Sequence, residues 1–189
     1  MKRIAILLLA CLLLASLAPC ALAEYYFDGI LAQDTSAIRV VDYGSDTQLT
    51  DKYGTYYVGN CFDHNLKTCW AEGKSGDGIG SAIWGRWQVR RGSWLLKGVA
   101  IWGGYQKSED VYYKNNRPCN VTLDIYCDGA TKSIDARLYD MPQCNLIIFD
   151  DYARFYDTAE VFLTLDSVYQ GWKYRDTCIT DIDLIVEDY

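Results

Sequence analysis

Two stretches of the chain gather residue types suited to reading a polyhydroxylated ligand. Residues 102–118 read WGGYQKSEDVYYKNNRP and set Tyr105 and Tyr113 beside Lys107, Asn116 and Arg117. Residues 168–178 read VYQGWKYRDTC and add Trp172, Tyr174, Arg175 and Asp176. A sugar offers an apolar C–H face on which a flat ring can stack, and a rim of hydroxyls that planar donors and acceptors can read. The competing reading is structural: the rings cap a core, and Asn116, Arg117 and Asp176 bond main-chain groups to hold the loops in shape.

Catalytic chemistry has less to work with. Glu72 with Asp77, or Glu109 with Asp110, are carboxylate pairs of the kind a glycan hydrolase could use. There is no GxSxG motif and no phosphate loop, and His64, the single histidine, builds no triad by itself. A non-catalytic binding module, a protein-binding or adhesive surface module, and a carboxylate-based hydrolase are therefore the three classes to separate. The formal charge of −7 argues against nucleic acid, whose phosphate backbone needs a basic face.

The elements that must position these loops read as almost entirely β. Alternating or apolar runs predict about eight strands, over 37–42, 81–89, 94–102, 120–126, 132–138, 145–149, 159–166 and 180–186. In the seventh, Val161, Leu163 and Leu165 share one face while Glu160, Thr164 and Asp166 share the other, the pattern of a half-buried antiparallel strand. No window keeps an apolar helix period over three turns, so 102–118 reads as a loop between strands. Trp70, Trp84 and Trp87 fall in or beside strands and are expected in the core, whereas Trp172, between Gly171 and Lys173, is expected to be exposed. The strand count and turn spacing predict a two-sheet jelly-roll sandwich.

Residues 1–23 have a basic start, an apolar run and a small-x-small end at Ala21-Leu22-Ala23, the marks of a secretory signal peptide cleaved after Ala23. A lipoprotein acylated at Cys20 is the alternative, and the apolar run is short for a transmembrane span. Loss of Lys2 and Arg3 with the leader takes the formal charge from −7 to −9. Residues 24–52 then read as an N-terminal strand and lead-in, and 53–189 as the main domain of a secreted or cell-surface protein. Six cysteines remain outside the leader, and an even number in an exported chain predicts disulfides. Cys61 with Cys69 across a short loop is the favoured pair, followed by Cys127 with Cys144 and Cys119 with Cys178. Zinc lacks the close ligand pairs it needs.

A set of short motifs in fixed order adds a resemblance. The turn Asp63-His64-Asn65-Leu66-Lys67-Thr68-Cys69-Trp70 resembles the DGNxxTxW turn of discoidin-like (coagulation factor 5/8 type C) domains. The pieces WAEG at 70–73, GDGIG at 76–80, GYQKS at 104–108, YYKNNRP at 112–118, VYQG at 168–171 and KYRDTCI at 173–179 together resemble the NADase-type glycan-binding module. The resemblance covers roughly residues 53–185. It implies a discoidin-like jelly roll that binds carbohydrate without chemistry. It also implies one structural calcium ion at Asp63, Asn65 and Thr68, with Asp181 as the distant acid; oxygen donors of this kind suit calcium. Two departures stand out: His64 where a glycine is usual, and SAIWGR at 81–86 in place of a more direct entry into a strand.

Overall fold

The computed structural model describes residues 29–189. The expected signal peptide and the Cys20 alternative lie outside the described residues. No helix among the described residues is long and apolar enough to cross a membrane.

Among the described residues, twelve strands form two five-stranded antiparallel sheets and one small hairpin. The strands are β1 (Ile30–Leu31), β2 (Ile38–Ser45), β3 (Thr50–Asp51), β4 (Gly54–Thr55), β5 (Trp70–Ala71), β6 (Ala82–Val89), β7 (Trp94–Gly103), β8 (Arg117–Cys127), β9 (Ala130–Arg137), β10 (Asn145–Phe155), β11 (Thr158–Tyr169) and β12 (Cys178–Asp188). One sheet runs β1-β12-β7-β10 with β5 also on β12, the other runs β2-β6-β11-β8-β9, and β3 pairs with β4. All eight predicted strands are present. The four additional ones, β1, β3, β4 and β5, are two residues long, too short to show an alternation. β2 pairs with β6 from Ile38 to Ser45, so the sandwich already includes chain that reads as lead-in.

The alternation of β11 is realised as expected. Ala159, Val161, Leu163 and Leu165 are buried, and they meet Ile83 and Trp87 of β6 and Val121, Leu123 and Ile125 of β8 in one core. From the facing sheet, Leu96, Val99 and Ile101 of β7 and Ile182 and Leu184 of β12 close that core. β12 is buried at every residue from 178 to 186, because it lies between β7 on one side and β1 and β5 on the other. The 3₁₀ turn Val58–Phe62 also packs on it, with the Cys61 thiol on the Ile179 carbonyl. A strand covered on both faces reads as a continuous apolar run, as CITDIDLIV largely does.

Three expectations need correction. The disulfide staple is not there: all six cysteines of the described residues are free thiols. The favoured partners are turned apart, since Cys61 faces Ile179 while Cys69 packs with Ala71 and Cys178, and Cys127 and Cys144 contact the carbonyls of Arg154 and Asn145. Trp84 is not in the core but half-buried on the outer face, ring to ring with Phe162 at 6.0 Å. Finally, residues 102–118 contain a short helix, α1 (Glu109–Lys114), whose N-cap is Ser108 accepting the Val111 N–H. Six residues make too few turns for a period to be read, but the Ser108 cap and the acids Glu109 and Asp110 in the first turn are recognisable start signals.

Gly98 sits where β7 meets β10, and a Cβ there would run into the Ile147 carbonyl of the paired strand. Replacing Gly98 by alanine is expected to lower unfolding stability by about 1–3 kcal/mol, the usual cost of overpacking. Urea denaturation measures this directly.

Candidate functional site

β7 and β11 end, and β8 and β12 begin, at one end of the sandwich, which brings the two polar aromatic stretches together. Their backbones are bonded to each other. The N–H groups of Trp172 and Tyr174 donate to the Tyr113 and Lys114 carbonyls, Asn116 N–H donates to Asp176 O, and Cys178 N–H donates to Asn116 O. Gly171 is needed for this approach, since a Cβ there would collide with the Lys114 and Asn115 backbone.

Beside this seam opens a cleft of about 410 Å³ with three walls. The first is the β3–β4 hairpin and its exit, carrying Asp51, Tyr53 and Tyr56. The second is the β7–β8 connection, carrying Tyr105, Lys107, Val111 and Asn115, and the third is the β11–β12 loop, carrying Tyr174 and Asp176. Leu49, Ala71 and Cys178 close the floor. Local bonding holds each wall. Asp51 accepts the Tyr53 N–H at 2.8 Å, Tyr56 N–H donates to Leu49 O at 3.0 Å, and Leu49 N–H donates to Ala71 O at 2.8 Å. The Tyr105 hydroxyl donates to Lys67 O at 2.9 Å, and its ring meets Tyr56 edge-on, with centroids 6.3 Å apart.

The electrostatics follow from this enclosure. Burial, reinforced by the Asp51 charge, pushes the Tyr56 hydroxyl up to about 12, and burial raises that of Tyr105. Burial also lifts the Asp176 carboxyl above the ordinary carboxylate range, against the pull of its own backbone N–H and with Asp51 adding to the rise. The cleft therefore presents neutral phenols and two carboxylates that feel each other.

Four of the expected ligand residues line the cleft: Tyr105, Lys107, Tyr174 and Asp176. The other five do not. Asn116 is fully buried; its amide donates to Asp77 at 3.0 Å and to Arg175 O at 2.8 Å and accepts the Gly171 N–H at 2.8 Å. Arg117, 5% exposed, forks onto Asp140 at 3.0 and 2.6 Å and donates to the carbonyls of Asn115 and Gln170. Arg175 is paired with Asp77 at 2.7 Å. Tyr113 packs edge-on against Tyr112 and under the Arg117 guanidinium. Trp172 is 66% exposed, as expected, but stands outside the cleft lining with the Lys114 ammonium over its ring. Asp51, Tyr53 and Tyr56 were missed by sequence reasoning; the tyrosine-rich DKYGTYY run at 51–57 was the available signal.

Three of the four expected carboxylates have structural partners, and Glu109 is exposed. Glu72 is buried and accepts the N–H groups of Lys74 and Thr177, Asp77 serves Asn116 and Arg175, and Asp110 pairs with Lys114 along α1. At the expected calcium turn, Asp63 accepts the Thr68 hydroxyl at 2.8 and 3.0 Å and the Asn65 N–H at 3.0 Å. His64 takes the left-handed conformation, φ 55°, and places Nδ1 3.3 Å from the buried Asp181 carboxylate. Asp63, Asn65 and Thr68 thus form one hydrogen-bonded turn, with His64 joining it to Asp181. Among the described residues no cluster of three or more histidine, cysteine or acidic groups could hold a metal.

Two five-stranded antiparallel sheets with a loop-built cleft at one end define a β-sandwich domain. The family model for the NAD glycohydrolase translocation F5/8 type C domain matches residues 33–185, and the chain belongs to that family. No curated protein matches the sequence. Among solved structures, the fold is similar to the family 32 carbohydrate-binding module of Clostridium perfringens NanJ in complex with galactose, with TM-score 0.51 and 11% identity over 78% of this chain and 98% of that one. It is similar to a family 32 module from C. perfringens in complex with GalNAc-β-1,3-galactose, with TM-score 0.52 and 11% identity over 76% and 93%. The C-terminal domain of a Bacteroides fragilis chitobiase gives TM-score 0.52 and 12% identity over 86% and 99%.

Arg117 and Trp172 should respond oppositely to truncation. Arg117→Ala frees the exposed Asp140 and leaves the Asn115 and Gln170 carbonyls without their donor, and is expected to cost about 2–3 kcal/mol of stability, on the scale of lost hydrogen bonds to a buried charged group. Trp172→Ala should stay within about 0.5 kcal/mol, as for a surface substitution. Chemical denaturation of both variants checks this.

Proposed function

We propose that this chain is an exported, non-catalytic glycan-binding module whose ligand enters the cleft between the β3–β4 hairpin and the β7–β8 and β11–β12 loops. The observation that carries the reading is the composition of that cleft. Tyr53, Tyr56, Tyr105 and Tyr174 surround it with ring surface, while Asp51, Lys107, Asn115 and Asp176 supply polar groups at its walls. This is the mixture that sugars require, apolar faces to stack on and fixed partners for hydroxyls. The family membership and the sugar-bound modules of like fold support the reading, and the leader-like residues 1–23 support export.

The non-catalytic part of the proposal rests on the carboxylates. Glu72 and Asp77 are held by structural partners, and Glu109 and Asp110 stand exposed on the first turn of α1. Calcium enters only as a rival to the protein-held turn: it would have to draw Asp63 from Thr68 and Asp181 from His64. The described turn is expected to give the same melting temperature after exhaustive chelation as in added calcium. An increase with calcium would mean that the turn rearranges around an ion.

A glycan array followed by titration of the best hit tests the main proposal. Tyr53→Ala and Tyr174→Ala are expected to weaken binding about tenfold each, on the scale of a lost aromatic contact. Both rings are exposed, at 77% and 41%, so melting temperature should hardly change. Capture of one protein that survives deglycosylation, with no sugar hit, would favour a protein-binding module instead.

A further inference from the structure

Resting on the glycan reading, we propose that the cleft selects a sugar bearing a free, protonated amino group, with the ammonium seated between Asp51 and Asp176 and walled by tyrosine rings. The cleft sets two carboxylates among four tyrosines. Asp51 is bonded to the Tyr53 N–H, and among the described residues neither it nor Asp176 forms an ion pair. Asp51 is exposed and Asp176 half-buried, whereas three other acids near the site have protein partners: Asp77 has Arg175, Asp140 has Arg117, and Glu72 has two backbone N–H groups.

Exposed Asp51 and half-buried Asp176 line one cleft, and like charges in one cleft gain when a cation joins them. Tyrosine faces attract the same cation through their quadrupole, which is the principle of aromatic cages for ammonium groups. The rim already shows the attraction, since Lys52 and Lys173 place their ammonium groups 4.9 and 5.0 Å from the ring centres of Tyr53 and Tyr174. Those two lysines belong to the solvent-exposed rim. Lys107 is the one cation among the lining residues and forms no ion pair, so it competes with an incoming ammonium rather than neutralising the acids. A neutral sugar would leave the two acids without a bound cation; a carboxylated or sulfated one would add a third negative charge to the lining.

Isothermal titration with β-1,4-linked glucosamine oligomers and their N-acetylated counterparts of equal length isolates the charge. Measured slightly below neutral pH and at low ionic strength, the amine form is expected to bind at least about tenfold tighter, the scale of one charged hydrogen bond. The preference should shrink as salt rises. Asp51→Asn and Asp176→Asn should each remove most of the preference, and Lys107→Ala should increase it. Equal or tighter binding of the acetylated form to the unmodified protein overturns the inference and leaves the glycan reading standing. If neither oligomer nor any neutral or acidic sugar binds, both fall.

Discussion

The site depends above all on one buried amide. Asn116 has no exposed surface, and its side chain ties its own β7–β8 connection to two further segments: Asp77 after β5, and the β11–β12 loop through the Arg175 carbonyl and the Gly171 N–H. Its backbone adds a bond in each direction, to Asp176 and from Cys178. A buried amide left with unmet groups is costly, so the three segments meet around it in one arrangement or not at all. Tyr174 and Asp176, on the cleft side of this seam, are consequently held against Asn115 and Val111. The Arg117 fork on Asp140 braces the same corner, with Tyr112 and Tyr113 beside the guanidinium.

This division of labour explains why the polar residues that stand out most in the sequence are not those that face a ligand. Asn116, Arg117 and Arg175 are rich in donors, and donors inside a folded end-loop cluster are consumed by the carbonyls and carboxylates that loops leave unpaired. What reaches the cleft is what those bonds position: rings and short acids. Tyr56 and Tyr105 meet edge-on and are deep enough for burial to raise both hydroxyls above the ordinary tyrosine value.

The strands were legible because alternation survives wherever one face is buried, as at Val161, Leu163 and Leu165. Trp84 misled because aromatic type alone does not distinguish the two faces of β6; its indole lies against Gly44 of the neighbouring strand, where a side chain would collide with it. The cysteines misled through the even-count rule: Cys69 and Cys178 do meet, but through the diagonal pairing of β5 and β12, a contact between residues far apart in sequence. The cleft was half legible. Tyr105, Lys107, Tyr174 and Asp176 lie in the motif-bearing loops, whereas Asp51, Tyr53 and Tyr56 enter it only because a two-residue hairpin is carried there by Leu49 pairing with Ala71.

The central claim is that ligand binding occurs in the cleft framed by these three segments. Backbone amide shifts, followed by NMR as a bound glycan is titrated, locate the contact without any substitution. The account requires the largest changes over 51–56, 105–115 and 174–178 together. Changes concentrated instead on the outer face of the second sheet, around Trp84, Phe162 and Tyr126, would contradict it.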